Sequence, residues 1–580
     1  MSDGLQVTLG QHSRAGADGV NQDFHGALLP AGPLRAAKGI AVALADGIGS
    51  SAVSQVASAA AVRGFLDDYY ATSDAWTVRR AAQRVLAATN SWLHAQTMRS
   101  DARFDRDRGY VCTFSALVLR GREVHLLHVG DSRIHRLHPQ ALEQLTEDHR
   151  VHLSSAESYL GRALGASAHV EIDYRCLPAE PGAVYLLATD GAYARLDAAA
   201  VHAALAAHGD DFDAAAAALT ALAQARGATD DMTVQLLRID RLPAPDPDAL
   251  RRERDGLALP PPLAPRMEFE GYAVVRELHA SARSHVHLAT ELATGRTAVL
   301  KTPSVDLAGD AAHLDGFLRE EWVARRIDSA HVLKAFAPAA QDRPRRHLFV
   351  AMEYVDGQTL AQWMTDHPRP DLDRVRGLVA QVARGLQALH GREMLHQDLR
   401  PENVMVDRAG TAKLIDLASV HVAGLAEAAQ DAPPRELVGS LQYTAPEYFV
   451  GDGGGPRSDL FALAVLTYQM LCGRLPYGLA ATRLRVPADL RRLRYVPLRH
   501  LRPELPDWLD AVLQKALHPD PRRRQEAVTE FVHDLHAPGA SFRRRRAPPL
   551  AERDPVRFWQ AAALLLALAA LALLGLLFGR

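Results

Sequence analysis

Asp398, Arg400 and Asn403 stand at fixed short offsets within Met394-Leu-His-Gln-Asp-Leu-Arg-Pro-Glu-Asn-Val-Met-Val406. An apolar pair leads into the stretch and an apolar run leads out of it. A carboxylate, a guanidinium and an amide so spaced can accept a hydroxyl proton, neutralise a phosphoryl group in transfer and hold a divalent cation by the amide oxygen. A polar turn between two short strands has the same composition, so the flanking residues must decide.

A second constellation lies nearer the N-terminus. Acidic residues recur beside strand-like apolar runs. Asn21-Gln-Asp23 precedes a Phe, Asp46-Gly47 follows the run 40–45, and Gly130-Asp131 follows 124–129. Thr189-Asp190 follows 183–188, and Asp230-Asp231 precedes 234–239. One Asp after a strand is ordinary turn chemistry. Several carboxylates gathered at one end of a sheet repel each other unless hard cations join them, and Mg2+ or Mn2+ takes such oxygen ligands while keeping several waters.

The elements that must position these groups follow from periodicity. The apolar runs, with a further one at 113–119, read as strands, and Ala-rich stretches at 51–66, 79–94 and 212–226 read as helices. The mixture predicts an α+β domain. The full length of 580 residues exceeds what one core organises, so the chain is multidomain. A net charge of −2 argues against a nucleic-acid partner. Cys112, Cys176 and Cys472 are far apart, which fits a reducing compartment without a disulfide framework or metal-type spacing. The first residues show no secretory pattern.

Prolines at 243, 245, 247, 260, 261, 262 and 265 mark a linker over 241–266. The expected order is a first domain over 1–240, that linker, a second domain over 267–540, a basic connector over 541–556 and an anchor over 557–580. Residues 558–578 carry no charge, and as a helix they would reach about 31 Å at ~1.5 Å per residue, close to the ~30 Å hydrocarbon core. The basic run 543–546 then places the preceding domains in the cytoplasm, on a single-pass inner-membrane protein.

The ordered acidic motifs, with Leu145-Thr-Glu-Asp-His149 and Gly161-Arg-Ala-Leu-Gly165, make 5–240 similar to the metal-dependent protein phosphatases of the type 2C (PPM) family. The resemblance implies a β-sandwich flanked by helices. It implies that Asp23, Asp46, Asp190 and Asp230 hold two Mg2+ or Mn2+ ions with the carbonyl of Gly47, and that Asp131 joins Asp190 at a third, weaker site. Ions about 3.5–4 Å apart would lower the pKa of a water between them for in-line attack on phosphoserine or phosphothreonine. Asp231 takes the place of a usual Asn. Asp18 takes the place of a usual phosphate-gripping Arg, with Arg14 as a candidate substitute.

In the second domain Tyr272-Ala-Val-Val-Arg-Glu-Leu278 alternates like a strand, 286–289 and 297–300 continue the pattern, and Lys301 closes it. A helix over 314–327 carries Glu320, with Glu321 as neighbouring candidate. Leu348-Phe-Val-Ala-Met-Glu-Tyr-Val-Asp-Gly357 reads as a buried strand running into a short link, and 375–390 as a helix leading to Asp398. Lys413-Leu-Ile-Asp-Leu-Ala-Ser419, Gly439-Ser-Leu-Gln-Tyr-Thr-Ala-Pro-Glu447, Ser458-Asp459 and Asp520-Pro-Arg-Arg-Arg524 follow in order. Together they make 267–540 resemble a two-lobed Ser/Thr protein kinase. The resemblance implies that Lys301, paired with Glu320, meets the ATP phosphates, that Met352 and Glu353 line the adenine site, and that Asn403 and Asp416 bind Mg2+. Asp398 and Arg400 would be catalytic, and Arg524 would pair with Glu447.

Three places depart from that family. His279, Ser281 and Ser284 replace the loop glycines, Ala418 replaces the Gly after Asp416-Leu, and Gln397 replaces the Arg before Asp398. Residues 420–438 contain no Ser, Thr or Tyr, which fits a kinase not switched on by phosphorylation of this segment. The expectation is a membrane-anchored bacterial signalling protein, both kinase and phosphatase, acting on Ser/Thr-phosphorylated proteins and ATP; self-association is left open. The alternative is an active phosphatase regulated by an ATP-binding pseudokinase scaffold.

Overall fold

A computed structural model of the chain describes residues 4–17, 19–48, 53–104, 108–152, 158–243, 257–281, 283–304, 310–336, 345–423, 442–449, 454–478, 489–490, 493–537 and 555–578. Asp18, the segment 424–441 and the basic run 543–546 lie outside the described residues.

The chain divides into two compact units. The first is Met1–Thr359 with Gly385–Asp398 and Glu402–Gly439; the second is Leu360–Arg384, Leu399–Pro401 and Ser440–Arg580.

The first unit opens with two five-stranded antiparallel sheets. One orders Gln6–Arg14, Met232–Arg241, Val184–Ala188, Arg133–His138 and Ala141–Gln144; the other orders Asp173–Pro178, Glu123–Val129, Phe114–Arg120, Ile40–Ala45 and Phe24–Leu28. The strand Ile40–Ala45 shows why they stack. Ile40, Val42 and Leu44 enter the core between the sheets with Leu117, Leu126, Leu187 and Leu237. Its alternate residues Ala41, Ala43 and Ala45 are also buried, and their small size lets helix Ser54–Ala71 pack on the outer face. The strand Met232–Arg241 does the same on the other side. Leu237 and Ile239 face the inner core, while Val234 and Leu236 meet Leu219 and Ala223 of helix Phe212–Ala225. Each fully buried Leu or Ile contributes ~1.5–3 kcal/mol of apolar burial.

Farther along the same unit, a five-stranded sheet orders Glu268–Phe269, Tyr272–Ala280, Ser284–Glu291, Thr297–Pro303 and Val350–Glu353. Tyr272, Val274, Ala289, Ala298, Leu300 and Phe349 form the core on one face. Lys301 is out of phase with Leu300, so it leaves from the other face, beside its cross-strand partner Val286. Helix Ala311–Arg326 is capped by Asp310, whose carboxylate accepts from the amide of His313 at 2.9 Å.

In the second unit, helix Pro456–Cys472 is buried along almost its whole length. Arg524 and Glu447 form the expected pair, with Arg524 Nη1 and Nη2 each donating to one carboxylate oxygen at 2.7 Å, and Ser458 adds a third hydrogen bond to Glu447.

The α+β, multidomain expectation holds. No helix among the described residues is long and apolar enough to cross a membrane, so the spanning helix expected over 557–580 is not supported.

Candidate functional site

Two constellations form, both largely in the first unit. The first gathers at the ends of the stacked sheets. Asp23 precedes strand Phe24–Leu28, Asp46 follows Ile40–Ala45, and Asp131 follows Glu123–Val129 across Gly130, whose φ of 114° suits glycine. Asp190 opens the short helix Asp190–Tyr193, and Asp230 lies just before Met232–Arg241. Their convergence shows in the electrostatics of Asp46. Burial, then the charges of Asp23, Asp190, Asp131 and Asp230, push its carboxyl well above the usual range. The five Asp residues expected to ligate metal therefore share one place.

Asp23 is held at one oxygen and free at the other. Thr233 and Thr189 donate to its Oδ2 at 2.7 and 2.8 Å, while Oδ1 is buried without a hydrogen-bond partner. Burial raises this carboxyl to about 7 despite both threonines. A buried, unpartnered carboxylate oxygen among four further carboxylates fits a divalent-cation site.

Asp231 is otherwise engaged. Its two oxygens accept from the amides of Gly16 and Gln22 at 2.7 and 2.6 Å, so it fastens the loop before Asp23. Gly47 donates its amide to the carbonyl of Gln22 at 3.2 Å, and a Cβ there would fall 2.8 Å from Ser54. Arg14 donates to the side chain of Gln224 and so does not turn toward the carboxylates.

Arg150 is the residue that sequence reasoning missed. Its Nε donates to Asp131 Oδ2 at 2.6 Å and its Nη2 to Asp190 Oδ2 at 2.9 Å. Burial works against its charge, but Asp131 outweighs it and holds the guanidinium above its ordinary value. The signal was adjacent, because Arg150 directly follows the motif ending at His149. His149 supports the same turn: its Nδ1 accepts from the amide of Gly130 at 3.0 Å, and its Nε2 meets Asp173 at 3.0 Å. Gly165, with φ of 82°, comes so near the carbonyl of Tyr110 that a Cβ would lie 2.1 Å away.

The second constellation centres on Lys301. Its ammonium donates to both oxygens of Glu320, at 2.8 and 2.7 Å, and to Asp416 Oδ1 at 3.4 Å. Burial opposes its charge, yet Glu320 and Asp416 hold its pKa above the ordinary lysine value. Asp416 is lowered in turn, because Lys301 and the amide of Ala418 outweigh its burial. The Asn403 amide donates to the carbonyl and to Oδ2 of Asp398 at 2.8 and 3.1 Å. Glu321 is turned elsewhere, toward Arg325 and Arg345 at 2.6 and 3.0 Å. Arg400 belongs to the second unit. Gln397 adopts a left-handed φ of 64°.

Met352 is buried at the end of strand Val350–Glu353. Glu353 is occupied on both counts: its amide donates to the carbonyl of Lys334 at 3.0 Å, and its carboxylate pairs with Lys413 at 2.8 Å. The loop lacking glycines closes on itself. Ser281 Oγ accepts from the amides of Arg283 and Ser284 at 3.3 and 3.1 Å, and its own amide donates to the Ser284 carbonyl at 3.0 Å.

Residues 11–236 match the family model described as protein phosphatase 2C, and residues 272–535 match the protein kinase domain. The serine/threonine-protein kinase PrkC of Bacillus subtilis strain 168 is 23% identical over 268 residues, 46% of this chain and 40% of its own length. The serine/threonine-protein kinase PknB of Mycobacterium leprae is 27% identical over 281 residues, 48% of this chain and 44% of its own. The chain thus spans less than half the length of these relatives. The PknI kinase domain of Mycobacterium tuberculosis is 29% identical, covering 47% of this chain and 98% of that one, with a TM-score of 0.36. The catalytic domain of the phosphatase PstP, crystallised with two manganese ions, is 24% identical, covering 41% and 99%, with a TM-score of 0.34. The chain combines a PP2C-like phosphatase domain with a Ser/Thr protein kinase domain.

Proposed function

We propose that the chain both transfers phosphate to Ser or Thr hydroxyls and removes it. The observation that carries this is the retention of two complete charge constellations, Asp23-Asp46-Asp131-Asp190-Asp230 and Lys301-Glu320-Asp416 with Asp398-Asn403. The domain limits 1–240 and 267–540, and the intervening linker, belong to the same proposal.

On the phosphatase side, Asp23, Asp46, Asp190, Asp230 and the Gly47 carbonyl would hold two Mg2+ or Mn2+ ions, with Asp131 and Asp190 at a third. When bound, the ions supply an acidified water and offset phosphoryl charge. Thr189 and Thr233 fix Asp23 Oδ2, leaving Oδ1 as the ligating oxygen. Arg150, rather than Arg14, stands beside the site as the cation for substrate phosphate. Asp46→Asn should abolish Mn2+-dependent release of phosphate from phosphothreonine peptides; full activity in that variant would contradict the assignment.

On the kinase side, Glu320 aims Lys301 at the ATP phosphates. Asn403 holds Asp398 to orient the acceptor hydroxyl, and Asn403 and Asp416 would bind Mg2+, with Arg400 balancing charge in transfer. Met352 and Glu353 would border adenine. One observation favours the pseudokinase alternative: Ser281 already occupies amides that a phosphate-binding loop would offer. ATP binding without transfer would select it. Membrane attachment extends this proposal only as far as the uncharged run 558–578 carries it. Flotation of the full chain with liposomes, against a chain ending at 556, tests it.

A further inference from the structure

We propose that the phosphatase domain is a positioning element for the kinase: its Asp68 and Trp76 clamp helix Ala311–Arg326 so that Glu320 stays on Lys301. This rests on the kinase reading above. All the residues concerned fall in the first compact unit.

At ~100° per residue, Trp322, Arg325 and Arg326 come round to the side of the helix away from Glu320. That side is covered. Arg326 Nε lies 2.6 Å from Asp68 Oδ2, on helix Ser54–Ala71, and both side chains are almost fully buried, at 6% and 5% exposure. Trp322 is fully buried, its ring centroid 5.7 Å from that of Trp76. Arg84 stacks over the Trp76 ring at 4.4 Å, and Arg325 reaches the carbonyl of Thr72 at 3.4 Å.

The same surface touches the approach to the catalytic loop. Asp68 Oδ1 lies 3.5 Å from Arg392, and Arg99 pairs with Glu393 at 2.8 Å. Glu393 holds a left-handed φ of 54° and accepts from the amide of Ala423, the residue seven beyond Asp416, at 3.0 Å. Asp68 thus joins two segments that must keep register for transfer: the helix bearing Glu320, and the strand Met394–Leu395 that leads to Asp398.

A buried ion pair is a discriminating device of this kind. Removing one partner strands the other in a water-poor place, whereas exchanging the two charges can restore the pair. Asp68 and Trp76 have no place in the phosphatase constellation, so that activity reports whether a variant is folded.

The test uses the full chain as four proteins: unaltered, Asp68→Ala, Arg326→Ala, and Asp68→Arg with Arg326→Asp. Hydrogen exchange of peptides from 316–326 and affinity for ATP with Mg2+ are read in each, with phosphatase rate on a small phosphoester as the folding control. The expected result is exchange about tenfold faster and weaker ATP binding in both single variants, recovered in the charge exchange, with the phosphatase rate unchanged. Unaltered exchange at 316–326 in Asp68→Ala, with the phosphatase intact, would overturn the clamp. So would loss in the singles without recovery in the exchange. Neither readout needs phosphate transfer, so a chain that binds ATP without transferring it refutes the bifunctional reading and still decides the clamp.

Discussion

Lys301 donates to both carboxylate oxygens of Glu320, at 2.8 and 2.7 Å, and Glu320 is only 1% exposed. A lysine so gripped has its ammonium fixed in direction. Glu320→Gln keeps the size of the side chain but loses the charge, and it should slow phosphate transfer about 10²-fold through misplacement of Lys301. Lys301→Met should lower it at least as far. Initial rates at saturating ATP check both.

Ser281 Oγ holds the amides of Arg283 and Ser284. Ser281→Gly should free them for phosphate and tighten ATP binding about fivefold, the worth of one hydrogen bond at ~1 kcal/mol. Calorimetric titration with ATP and Mg2+ measures this directly. Weaker binding would mean that the serine hydroxyl itself serves the nucleotide.

Arg150 offsets Asp131 and Asp190 from 2.6 and 2.9 Å. Arg150→Ala should lower the melting temperature of the chelator-treated protein, because two carboxylates then face each other unpaired. It should also strengthen the weakest Mn2+ site and raise KM for a phosphopeptide. Metal titration followed by steady-state kinetics separates these effects.

The raised carboxyl of Asp23 carries a definite pH sign. Its folded pKa of about 7 exceeds its ordinary value of 3.8, chiefly through burial, so the folded state holds the proton more tightly than the unfolded state. Its contribution is present at low pH and is lost as pH rises through about 7. In the presence of chelator the melting temperature should therefore fall across that interval. Mn2+ should reverse the fall, and Asp23→Asn should flatten it.

The strands and helices that carry the sites were legible because burial on both faces leaves near-continuous apolar runs. Ile40–Ala45 is an example, read from 40–45 and found with the same limits. The weaker strands Arg133–His138 and Ala141–Gln144 are polar on one face and left no such trace. The acidic and kinase-like residues were legible because their chemistry demands particular types at particular offsets. Arg150 was not, since a guanidinium meeting Asp131 and Asp190 needs no fixed spacing. Nor was the Asp68–Arg326 pair, whose partners lie far apart in the chain and announce themselves only on folding. The role of Asp231 also emerges only in the fold, because neighbouring Asp residues are equivalent in sequence until the amides of Gly16 and Gln22 claim one of them.

The most direct measurement takes the full chain carrying Asp46→Asn, with labelled ATP, Mg2+ and a generic Ser/Thr protein substrate, beside the same chain carrying Asp398→Asn as well. Label on serine or threonine in the single variant, absent from the double variant and removed on adding unaltered protein with Mn2+, is the predicted result. No label in the single variant, with ATP bound, would contradict a working kinase and leave the phosphatase as the one enzyme of the chain.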